Sequence, residues 1–187
     1  LCSGKNRAVC VISGTHTHVS SLSVNGRTLV SSSVKGGGRG SMLEKYLAGM
    51  KLRELVAAAE KADRDDLEYI RKGVLMNLAV SEAGGSLGKV GSCLLDLKHK
   101  GRFADDVFST TKILVACATD ARMHGLPLPV MSSGESGNQG IVAILAPYNA
   151  GKIAGVSEEQ ICRSIALSHL LNAYVKAFTG SLAPVCD

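Results

Sequence analysis

Pro127 and Pro129 interrupt an otherwise helix-forming chain at one place. Proline lacks the amide proton and disfavours helix at the residue before it, so the helix that 113–123 would continue has to stop and the backbone must run extended. Gly134, Gly137 and Gly140 then let the backbone approach something small, and the apolar run 141–146 begins a new element that reads as a helix. The chain is therefore organised around a polar loop, residues 120–140, held between two apolar helices. The loop carries Ser132, Ser133, Ser136, Gly137, Asn138 and Gln139 next to a helix N-terminus, whose free amides make a cradle for a carboxylate or another anion. The same residues would equally serve as an N-cap and a turn.

Around this loop the expected fold is α+β: a mainly α-helical bundle preceded by a small antiparallel β-hairpin region. Residues 8–12 and 18–33 read as strands, and Asn25-Gly26 between Leu22-Ser23-Val24 and Thr28-Leu29-Val30 is a strong hairpin signal. Two or three strands are marginal alone in water, so this region, 1–35, needs a partner. The Gly- and Ser-rich residues 36–41 read as a linker rather than a phosphate loop, because the lysine and hydroxyl that should follow the last glycine of a Walker motif are missing. From 42 to 187 the chain reads as one helical domain, with helices expected over 42–48, 51–62, 65–83, 91–97, 105–117 and from Ser157 to about Thr179. Leu67, Ile70, Val74 and Leu78 recur at helical spacing, Asp63 or Asp65 is a suitable cap, and 113–118 is apolar on every face, which places that helix centrally.

With 45% hydrophobic and 4% aromatic residues and no Trp, the core must be built from Leu, Val, Ile and Ala, and the chain offers few stacking platforms for nucleic acid. The net charge of +5 is dispersed, and its densest cluster, Lys98-His99-Lys100-Gly101-Arg102, reads as a solvated loop, so no nucleic-acid partner is expected. No apolar run is long enough to span a membrane, and Leu1 opens the chain with neither an initiator Met nor a signal-peptide layout, as expected of a piece cut from a longer protein. The six cysteines, at 2, 10, 93, 117, 162 and 186, lack the short paired spacing of zinc sites and fit a reducing cytoplasm. Cys10, Cys93, Cys117 and Cys162 lie in apolar runs and are expected to be buried packing residues.

Three stretches of the loop, Ala121-Arg122-Met123, Leu128-Pro129-Val130-Met131-Ser132 and Ser136-Gly137-Asn138-Gln139-Gly140, resemble the bacterial and archaeal L-cysteine desulfidase family, relatives of the iron–sulphur L-serine dehydratase alpha chains. Ser13-Gly14-Thr15-His16-Thr17 resembles that family's Gly-Gly-His-Thr segment, and Ser168-His169-Leu170 with Tyr174 resembles a later helix, in the same order. The chain departs at Ser133-Gly134-Glu135, where the family has Asn-Ser-Gly. By this resemblance the chain is the middle of a longer iron–sulphur-dependent lyase.

The resemblance implies loss of sulphide from L-cysteine, giving pyruvate and ammonia, with a 4Fe-4S cluster in place of pyridoxal. It further implies that Cys186 is an iron ligand, with two more cysteines beyond the ends of this chain, and that the 187 residues alone are inactive. His16 or His169 would assist proton transfer, and Ser132, Ser133, Ser136, Gly137, Asn138 and Gln139 would position a small amino acid. Two alternatives stand beside this: an L-serine dehydratase of the same superfamily, and a non-catalytic domain binding a small anion or amino acid. Homo-oligomerisation is left open.

Overall fold

A computed structural model describes residues 2–12, 18–32 and 42–179. Its class is α+β, and the chain divides into two compact units, residues 1–42 and 43–187. His16, the linker 36–41 and Cys186 lie outside the described residues.

The first unit is a four-stranded antiparallel meander in the order β1 (Cys2–Ser3), β2 (Asn6–Ile12), β3 (Val19–Val24), β4 (Arg27–Ser31). Asn25 and Gly26 both have positive φ, 50° and 80°, which is the two-residue hairpin geometry that Asn-Gly favours. The Asn25 side chain fixes the next strand too, its Oδ1 accepting the Arg7 amide at 2.7 Å and its Nδ2 donating to Asn6 Oδ1 at 2.9 Å. The expected hairpin region is thus a larger sheet, but no described residue of its strands is buried. That is why Cys10, expected to be a core residue, is exposed.

The second unit contains α1 (Met42–Ala48) from its second residue onward, α2 (Leu52–Glu60), α3 (Arg64–Gly84), α4 (Val90–His99), α5 (Val107–His124), α6 (Gly137–Ala154) and α7 (Glu158–Thr179). Side-chain caps set the starts of three of them: Asp63 accepts the amides of Asp65 and Asp66 at α3, Asp106 accepts the Ser109 amide at α5, and Ser136 accepts the Gln139 amide at α6. Ser157 takes the same role at α7, where its Oγ accepts the Gln160 amide. Gly125 and Gly155 close α5 and α6 in the left-handed conformation. The core is formed by Ile70, Val74 and Val80 of α3, Ala118 and Ala121 of α5, Ile141, Ile144 and Leu145 of α6, and Ile161, Cys162 and Ile165 of α7.

Helix α5 is central, touching α3, α4 and α6. Two glycines allow that approach. A Cβ on Gly84 of α3 would lie 1.8 Å from Cys117 O, and one on Gly91 of α4 would lie 2.6 Å from Cys117 Cα, so α5 is seated backbone against backbone at Cys117. Asp120 of α5 then accepts the Gly91 amide at 2.7 Å, supplying to α4 the cap that Lys89 does not. Cys93 faces outward from α4 while Gly91 takes the buried position, so Cys93 is exposed where packing was expected.

Candidate functional site

Loop 126–136 joins α5 to α6, and its shape is dictated by one tight turn and one buried side chain. Ser133 and Ser136 exchange backbone hydrogen bonds at 3.0 Å in both directions, and between them Gly134 and Glu135 take positive φ, 51° and 66°. Two successive positive φ values define a type I′ turn, unusual at a glutamate. Asn77, at 0% exposure in the middle of α3, holds the loop to the bundle. Its Oδ1 accepts the Met131 amide at 3.0 Å and its Nδ2 donates to Gly140 O at 3.3 Å, tying the last stretch of the loop to the first turn of α6. The two segments touch directly, since a Cβ on Gly140 would lie 2.1 Å from Met131 O.

Helix α7 supplies the opposite side. His169, Asn172 and Lys176 recur at helical spacing and share one face. Asn172 Nδ2 donates to Ser133 Oγ at 3.0 Å, and the buried Lys176 lays its stem against Gly134, with Cγ 2.9 Å from where a Cβ would stand. His169 lies further along this face, on a pocket of about 420 Å³ walled by α2, α3, α7 and the loop. Ser132 and His169 both line it, together with Asp66 and Tyr69 of α3 and the apolar Ile70, Met131 and Leu170. His169 Nε2 is buried without a hydrogen-bond partner, an orphan of the kind that a ligand or water satisfies. Burial holds its pKa below the ordinary 6.5, so the imidazole is neutral at pH 7.

The remaining candidates lie at the start of α6. Ser136 is the N-cap and is buried; Gly137 is covered by Arg122, whose Nε would lie 2.3 Å from a Cβ there. Arg122 Nη1 also donates to Asn138 Oδ1 at 3.0 Å, setting a cation beside the positive end of α6. Ser132 and His169 are therefore brought together on one pocket, whereas Ser133, Ser136, Gly137 and Asn138 build the turn and helix start behind it. Asn77, Asn172 and Asp66 were not among the candidate residues. Asn77 had a signal, being a polar residue three and seven positions along from Val74 and Ile70 on the apolar stripe of α3.

The described residues do not offer a cluster-binding donor set. Among them no group of three or more His, Cys, Asp or Glu could hold a metal ion. Cys117 and Cys162 are buried, and burial pushes both thiols up, away from the thiolate that iron requires.

An α+β chain whose helical unit carries an open pocket lined by His and Ser is a class broad enough to hold many activities. Comparison with known proteins narrows it: the family model described as serine dehydratase alpha chain matches residues 21–187. The chain belongs to the serine dehydratase alpha-chain family. It is 49% identical to a UPF0597 protein of Elusimicrobium minutum and 48% identical to one of Geobacter sulfurreducens, in each case over 98% of this chain and 43% of the relative. A UPF0597 protein of Desulforapulum autotrophicum is 37% identical over the same shares. The chain thus spans less than half the length of these relatives. No solved structure matches it.

Proposed function

We propose that this chain is the substrate-handling part of an amino-acid lyase that cleaves L-cysteine to pyruvate, ammonia and sulphide. The observation that supports it most is the pocket, where a neutral histidine with an unsatisfied buried nitrogen and the loop residue Ser132 line the same cavity. With its proton on Nδ1, His169 Nε2 carries the lone pair that takes the substrate's α-proton; departure of the thiolate then leaves aminoacrylate, which tautomerises to the imine and takes up water to give pyruvate and ammonia. Ser132 orients the substrate, and the turn residues Ser133, Ser136, Gly137, Asn138 and Gln139 hold Ser132 in place. His16 stays a second candidate for proton transfer. A 4Fe-4S cluster with Cys186 among its ligands belongs to this proposal through the family resemblance, and no step above passes through it.

The test is a substrate panel after anaerobic reconstitution with iron and sulphide, run on the chain extended to the length of its relatives. Sulphide release from L-cysteine exceeding pyruvate formation from L-serine supports the proposal. The reverse preference would make the protein an L-serine dehydratase, and binding without turnover of either would leave an amino-acid-binding domain.

A further inference from the structure

The pocket on His169 has one ionic side chain. Asp66 of α3 lines it, and no lysine or arginine does. The nearest guanidinium from α7, that of Arg163, is turned to the end of α2, where it donates to the carbonyls of Ala59, Glu60 and Ala62 and pairs with Glu159 at 2.8 Å. Asp66 does not spend its carboxylate on capping α3, because Asp63 does that, and it takes part in none of the salt bridges among the described residues. An exposed carboxylate at a pocket whose other α3 residues are Tyr69 and Ile70 attracts a cation and repels a free carboxylate. We propose that Asp66 binds the ammonium group of an α-amino acid, so that the pocket takes its ligand by the nitrogen end and rejects analogues lacking an amine.

This deepens the proposed lyase reading, since an ammonium held at Asp66 keeps the adjacent α-carbon in the pocket that His169 and Ser132 also line. It also bears on specificity. An ammonium donates charge-assisted hydrogen bonds that a hydroxyl or thiol at the same carbon cannot replace.

The 187-residue chain is titrated at pH 7 with cysteamine, which has the ammonium and thiol without the carboxylate, and with 3-mercaptopropionate, which has the thiol and carboxylate without the ammonium. Binding is followed by the His169 ring resonances in NMR. Cysteamine should move them and bind at least about tenfold more tightly than 3-mercaptopropionate; Asp66→Asn should abolish that preference by weakening cysteamine about tenfold. Asp65→Asn removes the same charge from the start of α3 without touching the pocket and should leave both affinities unchanged. Equal binding of the two ligands, an unaffected Asp66→Asn variant, or His169 resonances that no amine moves would each overturn the assignment. The lyase reading fails separately: if L-alanine and L-cysteine both bind through Asp66 but the extended polypeptide releases no sulphide, the ammonium site stands and the lyase does not. Sulphide release with an unchanged KM for L-cysteine in Asp66→Asn would instead remove the ammonium site alone.

Discussion

At the scale of single residues, burial decides which groups can do chemistry. The His169 imidazole titrates below its ordinary 6.5 because its surroundings cannot solvate a cation. In the unfolded chain it binds a proton more readily than in the folded one, so its contribution to stability is full above about pH 6.5 and is lost as the pH falls toward the folded-state value. His169→Gln should therefore flatten the acid limb of a plot of Tm against pH between pH 7 and 5; an unchanged limb would show that another group carries it. The cysteines divide in the same way. Cys2, Cys10 and Cys93 are exposed, whereas Cys117 and Cys162 are buried with raised pKa values, the Asp120 carboxylate adding to the burial at Cys117. Mass spectrometry after brief iodoacetamide treatment should find label on the first three well before the last two. Rapid labelling of Cys162 would mean that the core opens at α7 more readily than its packing implies.

At the scale of elements, two glycines of different kinds separate close approach from backbone freedom. Gly84 has no room for a Cβ against Cys117 O, and Gly84→Ala should cost about 3 kcal/mol by forcing α3 from α5. Gly125 has open space but sits at φ 82°, so Gly125→Ala should cost only about 1 kcal/mol, from the left-handed conformation alone. Thermal unfolding of the pair tests the distinction; equal costs would contradict the seating of α5. Asn77→Ala would leave the Met131 amide buried without its acceptor and should cost about 2 to 3 kcal/mol, a fall in Tm of roughly 4 to 12 °C. Because Asn77 sets the position of Ser132 through its neighbour Met131, the loss of ligand binding should exceed what the loss of folded protein explains.

Elements are also where the sequence was most and least legible. Asp63, Ser157 and the Pro127–Pro129 break marked ends of α3, α7 and α5 because capping and proline chemistry are local. The length of α6 was not readable, since Pro147 removes the amide that would reach the carbonyl of Ala143, yet the helix runs on to Ala154. What carries it past the proline is tertiary: Asn149 Nδ2 meets Thr110 Oγ1 at 2.8 Å and Thr111 Oγ1 at 2.9 Å on α5. The loop itself was recognisable from its glycines, prolines and hydroxyls. The clasp by Asn77 and the partnership of Asn172 with Ser133 join residues 54 and 39 positions apart, which no local spacing records.

At the scale of the whole molecule, the two units differ in what holds them. Every buried hydrophobic residue among those described lies between Leu47 and Ile165, in the helical unit. The sheet offers Ala8, Cys10, Leu22, Val24 and Val30 on one face, as the pairings Ala8 with Val24, Cys10 with Leu22 and Leu22 with Val30 require, yet it buries none of them. A meander without a buried face gains little from the hydrophobic effect to offset the ordering of its backbone. The helical unit closes its own core through α3, α5, α6 and α7, so residues 43–187 expressed alone should keep the cooperative unfolding transition and the Tm of the whole chain to within a few degrees, and should retain the His169 pocket. Residues 1–42 expressed alone should give the circular dichroism of an unfolded peptide. Circular dichroism melts of the three species decide this: a helical unit that loses its transition when residues 1–42 are removed would show that its core depends on the sheet, and a stable isolated sheet would show that its strands are held by something other than side-chain burial.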